Sequence, residues 1–263
     1  MRSHAGDGAF GDLVQFSRYL PLLVERGAEV TLLVPVQFHK VLASADLKAR
    51  IVADLDPAHL PNLRCELMSL PNLFRTDLAS IPEGIDLSSK DIARIDTGRA
   101  ALPRNKLNVG ICWQGNPTRN IDKGRSIPLR EFEALAHVPG VRLISLQRKH
   151  GLEQLENLPA GMDVIQFDEG FDSGDEAFLD TTALLKSLDL VVTSDTAMAH
   201  VAAATGCPTW VALRHVPEWR WLTERSDSPW YPGVRLFRQR APGEWAPVFA
   251  EMAAALRGFR ADR

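Results

Sequence analysis

The sequence is sparing in three features, and each shortage removes a class of function. Cysteine is scarce. Cys65, Cys112 and Cys207 are an odd, dispersed set, which argues against a disulfide framework and against a zinc site. Cys112 and Cys207 sit inside apolar runs and read as small core residues. Surplus positive charge is absent: 30 Lys and Arg stand against 33 Asp and Glu, for a net charge of −3. Nothing in that balance attracts nucleic acid or an anionic membrane, so any phosphate must be held by local geometry. No apolar run approaches the roughly 20 residues of a membrane span, and the opening MRSHAGDGAFGD has no signal-peptide core. A reducing cytoplasm is the expected compartment. There is no internal repeat and no low-complexity tract.

What is present is a globular composition, 45% apolar and 24% charged over 263 residues, enough for one large domain or two ordinary ones. Short β-branched runs alternate with helical ones, the pattern of an α/β protein with parallel sheets. A helix is predicted from near Asp12 to Gly27, kinked at Pro21 because proline removes a backbone donor. Strand 29–35, helix 38–45 and strand 51–55 follow. From 57 to 103 prolines and polar residues predict loops and short elements, and DTGRAALPRNK reads as an interdomain linker. The alternation then resumes with strands at 108–113, 141–146, 190–194 and 208–213. Helices are expected at 129–137, 178–188, 197–205 and 245–259.

Four stretches carry candidate chemistry. In VVTSDTAMAHVAAATGCP a strand runs straight into a helix at Ser194, Asp195, Thr196 and Ala197. A helix opening offers free amides and the positive end of the macrodipole, which suits a diphosphate. Ser, Asp and Thr are equally good N-caps, so an ordinary capped helix with His200 in the core is the competing interpretation. In GICWQGNPTRNIDKGRSIPL a strand delivers a loop with Gln114 and Asn116, then Lys123, Arg125 and Ser126. Such a loop sits where open α/β sheets bind ligands, and its charges suit phosphate oxygens, although on charge alone a solvated loop is the simpler interpretation. In GDGAFGD Asp12 is either a helix N-cap or a general base. Gly6, Gly8 and Gly11 fit a dinucleotide fingerprint only weakly, because no strand precedes them. In HVPEWRWL Trp219 and Arg220 either stack on a base or sugar or pack between domains. Asp54 and Asp56 form a bare DxD that is common by chance.

Taken in order, GAFGDLVQFSRYLPLL, VGICWQGNPTRN, RSIPL, LISLQ, SDTAMAHVAAATGCPTWVAL and PEWRWLTERSDSPWYP resemble the glycosyltransferase family 9-like domain, related to the lipopolysaccharide heptosyltransferases. That domain often ends bacterial proteins that begin with tetratricopeptide repeats. The resemblance implies a GT-B fold: two Rossmann-like domains facing a cleft, here residues 1–102 on the acceptor side and 103–263 on the nucleotide-sugar side. Almost nothing precedes the glycine loop, so the N-terminal domain is expected to be incomplete. By resemblance the donor diphosphate lies near Ser194, Asp195, Thr196 and Ala197. His200 matches the histidine of the D-T-x-x-x-H motif, and Lys123 and Arg125 occupy the phosphate-binding basic loop with Gln114, Asn116 and Ser126. Asp12 matches the general base. Gln147, Trp219 and Arg220 are expected to line the cleft or stack on base or sugar. The implied activity is inverting, metal-independent transfer from a nucleotide-diphosphate-sugar to a hydroxyl acceptor, without a cofactor. A nucleotide-sugar-binding module without turnover, or a GT-B nucleotide-sugar epimerase, are the alternatives.

Overall fold

The computed structural model describes residues 10–58, 60–102 and 105–259. In the first half, helix α1 (Phe10–Phe16) passes through a 3-10 turn at Ser17–Tyr19 into α2 (Leu20–Glu25). The predicted long helix is therefore broken before Pro21, not at it. Proline sits in the first turn of α2, where its missing donor costs nothing. Strand β1 (Thr31–Leu33), helix α3 (His39–Ala43) and strand β2 (Arg50–Val52) come next. The two strands pair in parallel as a two-stranded sheet. Short helix α4 (Leu70–Leu73) and helix α5 (Ile92–Ala100) complete this half. Helix α5 takes up the first part of the expected linker, residues 96–100. Asp91 caps it by accepting from the Arg94 amide at 3.1 Å, a signal hidden among weakly apolar residues.

The second half is a Rossmann-type sheet. Its strands are β3 (Leu107–Cys112), β4 (Val141–Ser145), β5 (Val164–Ile165), β6 (Leu190–Ser194), β7 (Thr209–Leu213) and β8 (Val234–Arg238). Its helices are α6 (Glu133–Ala136), α7 (Leu179–Leu185), α8 (Ala197–Ala204) and α9 (Ala246–Arg257). Every pairing is parallel, in the order β5-β4-β3-β6-β7-β8. Counted within the sheet this is 3-2-1-4-5-6, the doubly wound order whose direction reverses between its first and fourth strands, here β3 and β6.

Both faces of this sheet are covered, which is why its strands read as continuous apolar runs. Strand alternation divides the core in two. Leu190, Val192, Trp210 and Ala212 face one cluster with Phe132 and α9 residues Val248, Phe249, Met252 and Leu256. Val191, Val211 and Leu213 face the other, which continues through Ala199 and Ala202 on α8 into Phe10, Leu13, Val41 and Leu42 of the first half. Each fully buried side chain of this size contributes roughly 1.5–3 kcal/mol. Gly11 is where the two halves come closest. A Cβ there would lie 2.7 Å from His200 Cδ2 and 3.4 Å from Ala197 Cα, so only glycine lets α1 lie against the opening of α8.

Charged groups reinforce the same junction. Arg94 on α5 bonds Glu176 at 2.6 Å and also Asp180; Lys40 on α3 reaches Glu176 at 3.0 Å. Asp172 holds the start of α7 by accepting from the Asp180 and Thr181 amides at 2.8 and 3.1 Å and from the Thr181 hydroxyl. Burial pushes its carboxyl up to about 6, against the lowering effect of these hydrogen bonds. The folded chain thus holds this proton more tightly than the unfolded chain does. Its stabilisation is complete below the ordinary value of 3.8 and is lost as pH rises through about 6. Asp172→Asn keeps the acceptor and tolerates the positive φ of 53°. Chemical denaturation at a series of pH values should show D172N at least as stable near neutrality and a flatter profile across that window, the difference being on the order of 1–3 kcal/mol. Parallel profiles would remove Asp172 as the titrating group.

Candidate functional site

The site forms where β3 and β6 release their C-terminal ends. Gln147, after β4, is buried and acts as a strut between these loops. Its Oε1 accepts from the Trp113 and Gln114 amides, both at 2.9 Å. Its Nε2 donates to the Gln114 and His150 carbonyls at 2.8 and 2.9 Å. The amide is thus spent on backbone, and Gln147 shapes the loop mouth. Gln114 Oε1 accepts from Gln154 at 2.9 Å, and Asn116 closes a turn by accepting from the Thr118 amide and hydroxyl at 3.0 and 2.8 Å.

Beyond them the chain folds around Asp122, which is buried. Ser126 donates to Asp122 at 2.7 Å and accepts from the Gly115 amide at 3.0 Å. Arg125 lies 3.3 Å from the same carboxylate. A Cβ on Gly115 would fall 2.5 Å from Asp122 Oδ1 and 2.6 Å from Arg125 Nη2, so glycine is required for this closure. The charge of Arg125 is felt at Cys112 and at Asp195, which places the basic loop beside the ends of β3 and β6. Lys123 is exposed, and its carbonyl is pinned by Arg214 at 2.7 Å.

On the other side of the reversal point, at the end of β6, α8 begins without a side-chain cap. Thr196 holds the N-cap position, extended at φ −129° and ψ 179°. Its hydroxyl turns back toward Thr193 and Cys112, at 3.4 and 3.9 Å. Ser194 Oγ is buried with no protein partner among the described residues. Asp195 is buried, and burial raises its carboxyl against the opposing influence of Trp221, Arg220 and Arg125. Thr196 and Ala197 remain half-exposed. No side-chain cap forms; the Ala199 amide is satisfied by the Thr196 carbonyl at 3.1 Å, which leaves the Ala197 and Met198 amides as the donors that open the helix.

His200 is a core residue. Its Nδ1 lies 3.0 Å from the Tyr231 hydroxyl and its ring stacks at 5.5 Å on Trp221. Burial, with the nearby charges of Arg220 and Arg18, holds it well below the usual imidazole value, so it is neutral. Burial likewise pushes Tyr231 up to about 12.

Asp12 lies inside the first turn of α1, which is already helical at Phe10, so it is not an N-cap. Its carboxylate is half-exposed and accepts from Arg220 Nη2 at 2.7 Å. Arg220 is buried and also donates to Gln15, with its guanidinium 5.8 Å from the Trp219 ring. Gly6 and Gly8 lie outside the described residues. Asp56 is occupied in a turn with the Ala58 amide at 2.9 Å. Among the described residues no three His, Cys, Asp or Glu side chains converge as metal ligands, and no helix is long and apolar enough to cross a membrane. Sequence reasoning missed the roles of Asp122 as the loop's anchor and of Arg220 as the partner of Asp12. The second contact spans 208 positions, and no local pattern announces it.

Residues 129–213 match the family model described as glycosyltransferase family 9 (heptosyltransferase). Among solved structures, Escherichia coli ADP-heptose lipopolysaccharide heptosyltransferase II superposes with a TM-score of 0.61 at 12% identity, covering 96% of this chain and 98% of that one. A family 9 glycosyl transferase from Veillonella parvula gives 0.49 at 13% identity, covering 81% of this chain and 57% of that one. E. coli heptosyltransferase WaaC with ADP-2-deoxy-2-fluoro heptose gives 0.42 at 17% identity, covering 80% and 59%. No curated protein matches the chain. The class defined by the parallel sheets and the first of these superpositions is the GT-B architecture. Within that fold, similarity to the glycosyltransferase family 9 model is confined to residues 129–213.

Proposed function

We propose that the protein transfers a sugar from a nucleotide-diphosphate-sugar to a hydroxyl acceptor, with inversion and without a metal ion. The observation that carries this reading is the uncapped opening of α8 at the reversal point between β3 and β6, with Arg125 beside it. Residues from about 103 onward hold the donor, and those before it present the acceptor. The Ala197 and Met198 amides that open α8, with Lys123 and Arg125, stabilise the charge that develops on the leaving diphosphate. Asp12 takes the acceptor proton as that oxygen bonds to the anomeric carbon. The bond from that carbon to the diphosphate oxygen breaks, and its electron pair leaves with the diphosphate. Arg220 holds the Asp12 carboxylate in place from the opposite half of the molecule.

A thermal-shift series with ADP-, UDP-, GDP- and CMP-sugars tests the donor half. At a hundredfold excess over Kd, binding adds about 2.7 kcal/mol, which for a chain of this size raises Tm by roughly 5–10 °C. ADP-heptose is the first donor to try, because the E. coli heptosyltransferase II that superposes at a TM-score of 0.61 is named for that donor. If no nucleotide-sugar of the four series shifts the transition, the donor assignment fails. A shift without donor consumption in the presence of acceptors identifies a binding module instead, and donor conversion without acceptor identifies an epimerase.

A further inference from the structure

We propose that Trp219 forms the floor of an acceptor subsite that takes a pyranose ring, resting on the assignment of Asp12 as the base. Trp219 is 52% exposed, although its neighbours Phe16, Trp221 and Trp230 are buried. An indole is costly to leave in water, and this one stands against two other aromatic rings. Its ring lies nearly parallel to Phe16 at 6.4 Å and edge-on to Trp230 at 5.9 Å. Phe16 is four residues after Asp12 on α1, and residues so spaced share one helix face. Arg220 joins the two features directly: its guanidinium lies 5.8 Å from the Trp219 ring and 2.7 Å from the Asp12 carboxylate. The exposed ring is therefore adjacent to the group that receives the acceptor proton.

The chemistry around the ring selects the occupant. Asp12 is charge-matched by Arg220, and Glu218 adds a half-buried carboxylate next in sequence. Carboxylates accept hydrogen bonds from hydroxyl groups. A pyranose offers an apolar C–H face to an indole and a rim of hydroxyl donors, so it satisfies both surfaces at once. A nucleobase would also stack, and the ADP affinity of a Trp219 variant separates the two occupants.

The test uses the full chain and simple probes: methyl α-D-mannopyranoside and methyl β-D-glucopyranoside, with sorbitol as the open-chain control and ADP as the nucleotide. Saturation-transfer NMR should show at least one pyranoside bound by the wild type and sorbitol unbound. Trp219→Ala should weaken that pyranoside by roughly tenfold and leave ADP affinity unchanged, while Trp219→Phe keeps most of the binding. The proposal is overturned if neither pyranoside binds, if W219A binds it as the wild type does, or if W219A weakens ADP instead. Pyranoside binding at Trp219 in a protein that consumes no donor would uphold this subsite and reject the transferase reading.

Discussion

Replacing Asp12 by asparagine lowers sugar transfer by about two to four orders of magnitude, the usual contribution of a positioned general base. Donor affinity should barely change, because Asp12 lies on α1 and the proposed phosphate contacts come from α8 and the basic loop. Asparagine is the informative substitution. It keeps the size of the side chain, and its amide oxygen still accepts from Arg220, so the contact between the two halves survives. What it loses is the ability to take a proton. The measurement is kcat with a saturating donor and acceptor, beside the nucleotide Kd of the same preparation. A D12N enzyme with wild-type turnover would show that Asp12 only anchors Arg220, and the base would have to be sought elsewhere.

Much of the second half of the fold was legible because covered parallel strands give apolar runs that stop at glycine, proline or a cap. Strand β6, for instance, spans the predicted Leu190–Ser194 without adjustment. Strand β8 was passed over. Its arginines at 235 and 238 interrupt the run, and its partner is β7, where Thr209 pairs with Val234, beyond any local window. Strand β5 has only two residues, too few for any periodicity. In the first half, helix α5 was read as linker because its single buried residue is Ile95. Its position comes instead from Arg94 meeting Glu176 and Asp180, about 80 residues away in the chain.

The candidate site divides in the same way. Its local parts could be read directly: the strand-to-helix junction at Ser194–Ala197 and the basic loop at 123–126. Their proximity, seen in the influence of Arg125 on Asp195, follows from the 3-2-1-4-5-6 order, which a spacing argument can suggest but not locate. His200 shows the limit of motif reasoning. The motif marks it, yet its imidazole is buried against Gly11, Tyr231 and Trp221, so its contribution is to seat α1 on α8. Since Asp12 follows Gly11 directly, that packing also fixes where the proposed base stands.

A proline at position 197 would isolate the role of the helix opening. Ala197 is the first residue of α8, the position that proline tolerates in a helix because its amide has no intrahelical partner. The preceding Thr196 is extended at φ −129° and ψ 179°, the conformation that a following proline demands. Ala197→Pro therefore deletes one N–H donor while leaving α8 intact. If that amide grips the diphosphate, a charge-assisted hydrogen bond is lost, and the Kd for nucleotide-sugar should rise roughly 10- to 100-fold. Tm without ligand should stay within a few degrees of the wild type. Arg125→Gln provides the companion measurement. It removes a charge beside the same helix end, so its effect on donor affinity should weaken as salt is raised, whereas the effect of the deleted amide should depend less on salt. Unchanged donor affinity in A197P, with the helix still folded, would mean that the open end of α8 serves no phosphate, and the transfer mechanism would lose its electrostatic basis.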